Sequence, residues 1–127
     1  MAIQLANGAA PLVVLIVEDE LLVRSDIAQY LRDSGCVVLE AWTAKQAVAL
    51  SHDGQTVDVL VTDINLGASE SGWDIAEVLR ADRPGIGVVY VSGNAVDQSR
   101  RVPDSAFFEK PYHSRDILQA CRELAEA

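Results

Sequence analysis

The chain has 127 residues, half of them hydrophobic, which is the size and composition of one globular domain. Its formal net charge of −9 at pH 7 argues against a nucleic-acid groove, which needs a basic face, and against binding to an anionic membrane surface. The sequence has no signal-peptide pattern and no run near the roughly 20 apolar residues of a membrane span, so we expect a cytoplasmic protein.

Short apolar runs alternate with amphipathic stretches along the chain. The apolar runs predict five β-strands, over residues 12–17, 36–41, 57–62, 86–91 and 105–109. Apolar residues at helical spacing predict four helices: one over 20–34, one capped by Thr43, one ending near Asp82 and one that follows Pro111. The stretch 95–101 is short and polar and predicts a weak helix at most.

Strands that are almost wholly apolar and alternate with helices predict a parallel sheet covered on both faces. We therefore expect an α/β fold of the doubly wound, flavodoxin-like (βα)5 type, with three layers. Residues 12–17 contain no polar side chain, so their strand should be central. The expected strand order is 2-1-3-4-5, which places a ligand site between strands 1 and 3. Residues 1–11 are expected to form a flexible tail, and residues 12–127 a single domain.

Polar side chains stand at the ends of four predicted strands: Glu18-Asp19, Asp63, Ser92 and Lys110-Pro111. The carboxyl ends of parallel strands meet at one edge of a sheet. That edge would hold three carboxylates, a hydroxyl and an ammonium group. Such a cluster suits a divalent cation and a phosphoryl group.

In this order and approximate spacing, these residues resemble the receiver domains of response regulators in two-component signalling. The resemblance covers about residues 12–127, and the expected strand order rests partly on it. It implies that Asp63 is the phosphoacceptor, because a carboxylate can attack a phosphoryl group and form an acyl phosphate. The loop after Asp63 departs from many receivers, with Leu66-Gly67 where they have Met-Pro, which leaves the choice of kinase open.

The same resemblance implies a Mg²⁺ site. Asp19 and Asp63 would ligate the ion directly, together with the backbone carbonyl of Asn65, and Glu18 would act through a water. Mg²⁺ favours six oxygen ligands and usually keeps several waters. The alternative is that Glu18 and Asp19 only place negative charge at the start of the first helix.

Three further roles follow from the resemblance. Lys110 would pair with the phosphoryl oxygens, and its bond to Pro111 would be cis, as is typical of receivers. Ser92 would donate its hydroxyl to a phosphoryl oxygen. Phe107 would be the aromatic residue that moves inward when this hydroxyl is recruited, although a plain core aromatic is the alternative reading.

The resemblance implies a signalling domain that assists its own phosphorylation and dephosphorylation and is not an enzyme acting on a separate substrate. We expect a stand-alone receiver in a phosphorelay, phosphorylated by a sensor histidine kinase or a histidine phosphotransfer protein and bound by a downstream protein. It is expected to be a monomer or weak dimer, with no nucleic-acid or membrane partner.

Two other functions remain open from the residues. A pseudo-receiver would bind partners without being phosphorylated. A phosphatase of the haloacid dehalogenase type also uses a nucleophilic Asp after a strand, but it usually needs a second Asp two residues later, where this chain has Asn65.

Overall fold

The computed structural model describes residues 10–54, 56–67 and 70–126. The predicted tail, residues 1–11, lies outside this part of the chain except for its last two positions. The described residues form five strands and four helices: β1 (Val13–Val17), α1 (Leu21–Asp33), β2 (Val37–Ala41), α2 (Ala44–Ser51), β3 (Val59–Asp63), α3 (Gly72–Asp82), β4 (Gly87–Ser92), β5 (Ser105–Glu109) and α4 (Ser114–Glu126). Among these helices, none has the length and apolar character that spanning a bilayer requires.

The strands form one parallel sheet in the order β2-β1-β3-β4-β5, which confirms the predicted topology. Val17 of β1 pairs with Thr62 of β3, and Asp63 pairs with Val91 of β4. The ends of the central strands are therefore level, so the residues that follow them emerge side by side at one edge.

Each face of the sheet carries its own hydrophobic core, because successive strand residues point to opposite faces. Leu15 and Leu60 belong to the core beneath α2 and α3, whereas Val14 and Val59 belong to the core beneath α1 and α4. Helices on both faces give the three predicted layers. The central strand β1 is apolar throughout because both of its faces are covered, whereas the edge strands β2 and β5 are only partly buried and include Glu40 and Ser105.

The segment between β4 and β5, residues 93–104, is the main departure from the predicted (βα)5 pattern. It consists of turns and irregular backbone, so the weak helix expected over 95–101 is absent. Only Val96 and Val102 of this segment pack against the core. A short polar stretch without an apolar stripe has little packing energy to offset the cost of starting a helix.

Candidate functional site

The candidate site lies at the carboxyl edge of the sheet. Glu18 and Asp19 follow β1, and Asp63 is the last residue of β3. Ser92 ends β4, and Lys110 directly follows β5. The structure thus brings together residues that are up to 92 positions apart in the chain, as the parallel order of the strands requires.

Three carboxylates form the centre of the site. One oxygen each from Glu18, Asp19 and Asp63 lies within 4.8 Å of the other two. Glu18 is 3% exposed and Asp63 is 7% exposed, whereas Asp19 is open to solvent. Two buried acids with one exposed neighbour form a cluster that a cation can reach from the surface.

Lys110 is the positive charge of this cluster. Its Nζ donates to Glu18 Oε1 at 2.6 Å and to Asp63 Oδ2 at 3.3 Å. Burial by itself lowers the pKa of Lys110, but the hydrogen bond to Glu18 and the charges of Asp63 and Glu18 outweigh it and raise that pKa above its usual value. The ammonium of Lys110 therefore stays charged. The peptide bond between Lys110 and Pro111 is cis, as predicted.

Asp19 carries the electrostatic cost of the cluster. Although the residue is largely exposed, partial desolvation among the neighbouring groups raises the pKa of its carboxyl, and a hydrogen bond and charge repulsion from Glu18 raise it further. Three carboxylates and one ammonium leave two negative charges, the charge that one Mg²⁺ ion balances. An all-oxygen set of ligands also matches the preference of that ion, so the residues fit the predicted metal.

Asn65 and Gly67 shape the mouth of the site. The Asn65 side-chain oxygen accepts a hydrogen bond from the Gly67 N–H at 3.2 Å. Gly67 has a φ of +71°, and a Cβ added there would lie 3.2 Å from Asp19 Oδ2. The loop therefore passes close over Asp19, and both Asn65 and Gly67 line an open cleft with Asp63 and Lys110.

Ser92 lies at the other side of this cleft. Its hydroxyl donates to the carbonyl oxygen of Asn94 at 2.9 Å and accepts from the Asn94 N–H at 3.2 Å. Phe107 is half-buried against the core beneath α2 and α3 and is not among the residues that line the cleft. Its neighbour Phe108 packs against the opposite core.

Comparison with known proteins identifies the family of this chain. Residues 14–122 match the family model described as the response regulator receiver domain. The chain belongs to this family. It is similar to a response regulator receiver protein from Sinorhizobium medicae WSM419, with a TM-score of 0.87 and 32% identity over 92% of this chain and 96% of that structure.

Two curated relatives are considerably longer proteins. The transcriptional regulatory protein PdtaR of Mycobacterium tuberculosis H37Rv is 33% identical over 94% of this receiver and 59% of its own length. The sensor kinase CckA of Brucella abortus strain 2308 is 31% identical over 89% of this receiver and 12% of its own length. This chain therefore spans only part of the curated proteins that it matches.

Two residues of this receiver take positions that the sequence analysis did not assign. Gly72 begins α3 directly against the backbone of Asp63, and Arg24 of α1 is buried beside Glu18. A charged residue on the buried face of an amphipathic helix is the only sequence signal for Arg24. Gly72 gives no signal of its own, because its neighbour comes from a different element.

Proposed function

We propose that this receiver accepts a phosphoryl group on Asp63 in a Mg²⁺-dependent reaction and changes its binding to a partner protein as a result. The observation that carries the proposal is the cluster of Glu18, Asp19 and Asp63, with the Lys110 ammonium 3.3 Å from Asp63 Oδ2. Each of these groups has a task in phosphoryl transfer to a carboxylate.

In the transfer, an oxygen of Asp63 forms a bond to phosphorus while the bond between phosphorus and the donor nitrogen or oxygen breaks. The leaving group takes the bonding electrons. Asp63 stands at the end of β3 and lines the cleft, so its carboxylate can be approached from solvent. Lys110 already lies beside it and can follow the negative charge onto the phosphoryl oxygens.

Glu18, Asp19 and Asp63 would hold Mg²⁺, with Asn65 completing the protein's share of the ligands. When bound, the ion neutralises charge on the transferring group. Without a cation, the two negative charges that Lys110 does not balance would repel an incoming phosphate. The acidic cluster would thus make the reaction dependent on the metal.

The hydrogen bonds of Ser92 would differ between the unphosphorylated and the phosphorylated receiver. In this structure its hydroxyl is held by Asn94, at the start of the irregular segment 93–104. A phosphoryl group on Asp63 would compete for that hydroxyl and so release Asn94. Phe107 would then repack toward the vacated space. Only contacts that differ between the two states can shift their populations.

The donor would be a phosphohistidine on a sensor histidine kinase or a histidine phosphotransfer protein, and the output would be the binding of a downstream protein. The family relationship and the net charge of −9 support protein partners in place of DNA. Stand-alone action and a cytoplasmic location stay predictions, since the curated relatives extend well beyond the part that this chain matches.

The test is incubation with acetyl phosphate and Mg²⁺, followed by intact-mass measurement. We expect the mass of one phosphoryl group to be gained by the wild type. The gain should disappear in Asp63→Asn, which keeps the size of the side chain but lacks a nucleophilic carboxylate. A chelator should also abolish it.

A wild type that gains no phosphoryl group from several phosphodonors would refute the proposal and leave the pseudo-receiver as the better reading. Asp58→Asn is a matched control, because Asp58 also adjoins β3 but lies at the opposite end of the strand, where it accepts from the Val13 N–H. This variant should be labelled like the wild type.

A further inference from the structure

Arg24 is a buried cation next to the acidic cluster. It lies on α1, five residues after Asp19, and is almost fully enclosed. Its Nη1 donates to the backbone carbonyl oxygen of Glu18 at 2.9 Å. Burying a guanidinium costs free energy unless its N–H groups are hydrogen-bonded and its charge is balanced.

The contact with Arg24 completes a clamp on the backbone of Glu18. The Glu18 N–H donates to the carbonyl of Ala41 at the end of β2, at 3.0 Å. The Glu18 carbonyl is held by Arg24. Since both polar groups of this residue are engaged, the peptide units on either side of its Cα have little freedom to rotate. The direction in which the Glu18 side chain leaves the backbone is thereby fixed, and its carboxylate meets Lys110 Nζ at 2.6 Å.

Two further contacts hold the guanidinium itself. Its Nε donates to Glu40 Oε1 at 3.2 Å, and the ring of Trp42 covers its face, with 5.1 Å between Cζ and the ring centroid. Glu40 balances the buried charge, and Trp42 supplies a cation–π contact. We call this group the Arg24 triad: Arg24, Glu40 and Trp42. It connects α1 and the end of β2 to Glu18, the first residue after β1.

We propose that Arg24 is a positioning residue for the acidic site: by holding the carbonyl of Glu18, it fixes the geometry in which Glu18 and Asp19 meet a divalent cation. This inference rests on the proposed function, because it concerns the same metal site. Mg²⁺ demands near-ideal octahedral geometry, so small rotations of the loop lower its affinity. Partners behind the ligands of a metal typically alter affinity by about 10- to 100-fold.

The side chain of arginine is specifically suited to this place. Its planar fork donates in two directions, to Glu18 and to Glu40, while its flat face packs on Trp42. A lysine keeps the charge but has neither the fork nor the face. Arg24→Lys therefore separates positioning from electrostatic attraction, since the charge near the cluster stays the same.

The test is the affinity of the full chain for Mg²⁺, measured by isothermal titration calorimetry with no phosphodonor present. We expect Arg24→Lys to bind Mg²⁺ about tenfold more weakly than the wild type. Arg32→Gln is the matched control, because Arg32 lies on the same helix and also pairs with Glu40, but it does not contact Glu18. Its affinity for Mg²⁺ should equal that of the wild type.

Urea unfolding of the same variants separates a positioning role from a merely structural one. A merely structural role would lower the unfolding midpoint of Arg24→Lys and leave its Mg²⁺ affinity unchanged, which would overturn the proposal. An equal loss of affinity in Arg32→Gln would also overturn it, because the effect would then come from Glu40. If the wild type itself bound no Mg²⁺, the proposed metal site would fail first.

Trp42→Leu provides a second variant should Arg24→Lys not fold. Trp42 is half-exposed, so its replacement disturbs little of the core. Loss of the cation–π contact should loosen the guanidinium and weaken Mg²⁺ binding about two- to fivefold. Wild-type affinity in a folded Trp42→Leu would count against the Arg24 triad.

Discussion

At the scale of single residues, Lys110 offsets the repulsion between carboxylates that meet at one edge of the sheet. Two unit charges about 4 Å apart interact by roughly 4 kcal/mol at an effective dielectric constant of about 20. Lys110 contacts Glu18 and Asp63 but has no hydrogen bond to Asp19 within the described residues. Desolvation and the neighbouring Glu18 raise the pKa of Asp19, and the charge of Lys110 opposes that rise only in part.

Tyr90 shows how one polar atom secures a segment that has no helix. Its side chain is fully buried in β4 and packs against Trp73, with 4.7 Å between ring centroids. Its hydroxyl oxygen accepts from the Val102 N–H at 3.1 Å. Burial raises the pKa of this phenol, so it remains neutral under ordinary conditions. The hydroxyl thereby satisfies a backbone donor that would otherwise be buried alone.

We expect Tyr90→Phe to lower the free energy of unfolding by about 1–3 kcal/mol, because the Val102 amide loses its acceptor. Urea unfolding followed by circular dichroism measures this loss. Tyr30→Phe is the control: Tyr30 is 37% exposed, and the same change there should stay within about 0.5 kcal/mol. Equal stability of Tyr90→Phe and wild type would show that water or a neighbouring group replaces the hydroxyl.

At the scale of elements, α3 begins against the end of β3, and Gly72 allows this approach. A Cβ at Gly72 would lie 2.2 Å from the carbonyl oxygen of Asp63 and 2.9 Å from the Cα of Ile64. The Gly72 N–H also donates to the Ile64 carbonyl at 2.8 Å. Any side chain here would push the helix away from the backbone of the proposed phosphoacceptor.

We therefore predict that Gly72→Ala destabilises the protein by about 1–3 kcal/mol and slows phosphorylation of Asp63. Urea unfolding measures the first effect, and the time course of labelling by acetyl phosphate measures the second. Gly85→Ala is the matched control, because a Cβ at Gly85 meets no atom within 4 Å. Its stability should change by less than about 1 kcal/mol. Equal behaviour of the two variants would contradict the steric argument.

Segment 93–104 is held to α3 by charges. Arg100 pairs with Glu77 at 2.7 Å and with Asp74 at 2.9 Å. The hydrogen bond from Arg100, together with that from the backbone of Ser71, lowers the pKa of Asp74. All three side chains are substantially exposed, so the two ion pairs of Arg100 contribute little to the free energy of unfolding. The half of the segment nearer Ser92 forms no ion pair with another element among the described residues, as the proposed switch at Ser92 would require.

At the scale of the whole molecule, the acidic site links stability to the protonation of Asp19. The folded protein binds the Asp19 proton more tightly than the unfolded chain, since the pKa is raised above 3.8. The stability from this proton is present below pH 3.8 and is lost as the pH rises through the folded pKa. At neutral pH the ionised Asp19 therefore lowers the free energy of unfolding, and the proposed Mg²⁺ ion would offset that loss.

We predict that Asp19→Asn, measured at neutral pH in a chelator, has a higher urea unfolding midpoint than the wild type. Saturating Mg²⁺ should raise the midpoint of the wild type through linkage and raise that of Asp19→Asn much less. The advantage of the variant should shrink as the pH falls toward 3.8. Asp26→Asn, the same change at an exposed position of α1, should respond to Mg²⁺ like the wild type.

A wild-type midpoint that does not respond to Mg²⁺ would contradict the linkage. So would an Asp19→Asn variant that is less stable than the wild type in the chelator, because the raised pKa requires the opposite sign. These outcomes separate a metal site from an acidic cluster that merely makes the protein soluble.

The layered fold could be predicted from the chain because its signals are local. Apolar runs such as 12–17, which stand between helical repeats, require strands buried on both faces, and right-handed crossovers leave few topologies. The same reasoning predicted that Glu18, Asp63 and Lys110 lie at one edge of the sheet, since the carboxyl ends of parallel strands are on the same side. Their roles in phosphoryl transfer stay predictions.

The sequence by itself determined which residues could meet, through the alternation of strands and helices and the polar groups at the strand ends. Only the tertiary structure decided how they meet: that Lys110 reaches both Glu18 and Asp63, that Gly72 abuts Asp63, and that Arg24 holds the carbonyl of Glu18. The physical reason is that such contacts join residues of different elements. Their distances depend on how helices dock on the sheet, which no local pattern encodes.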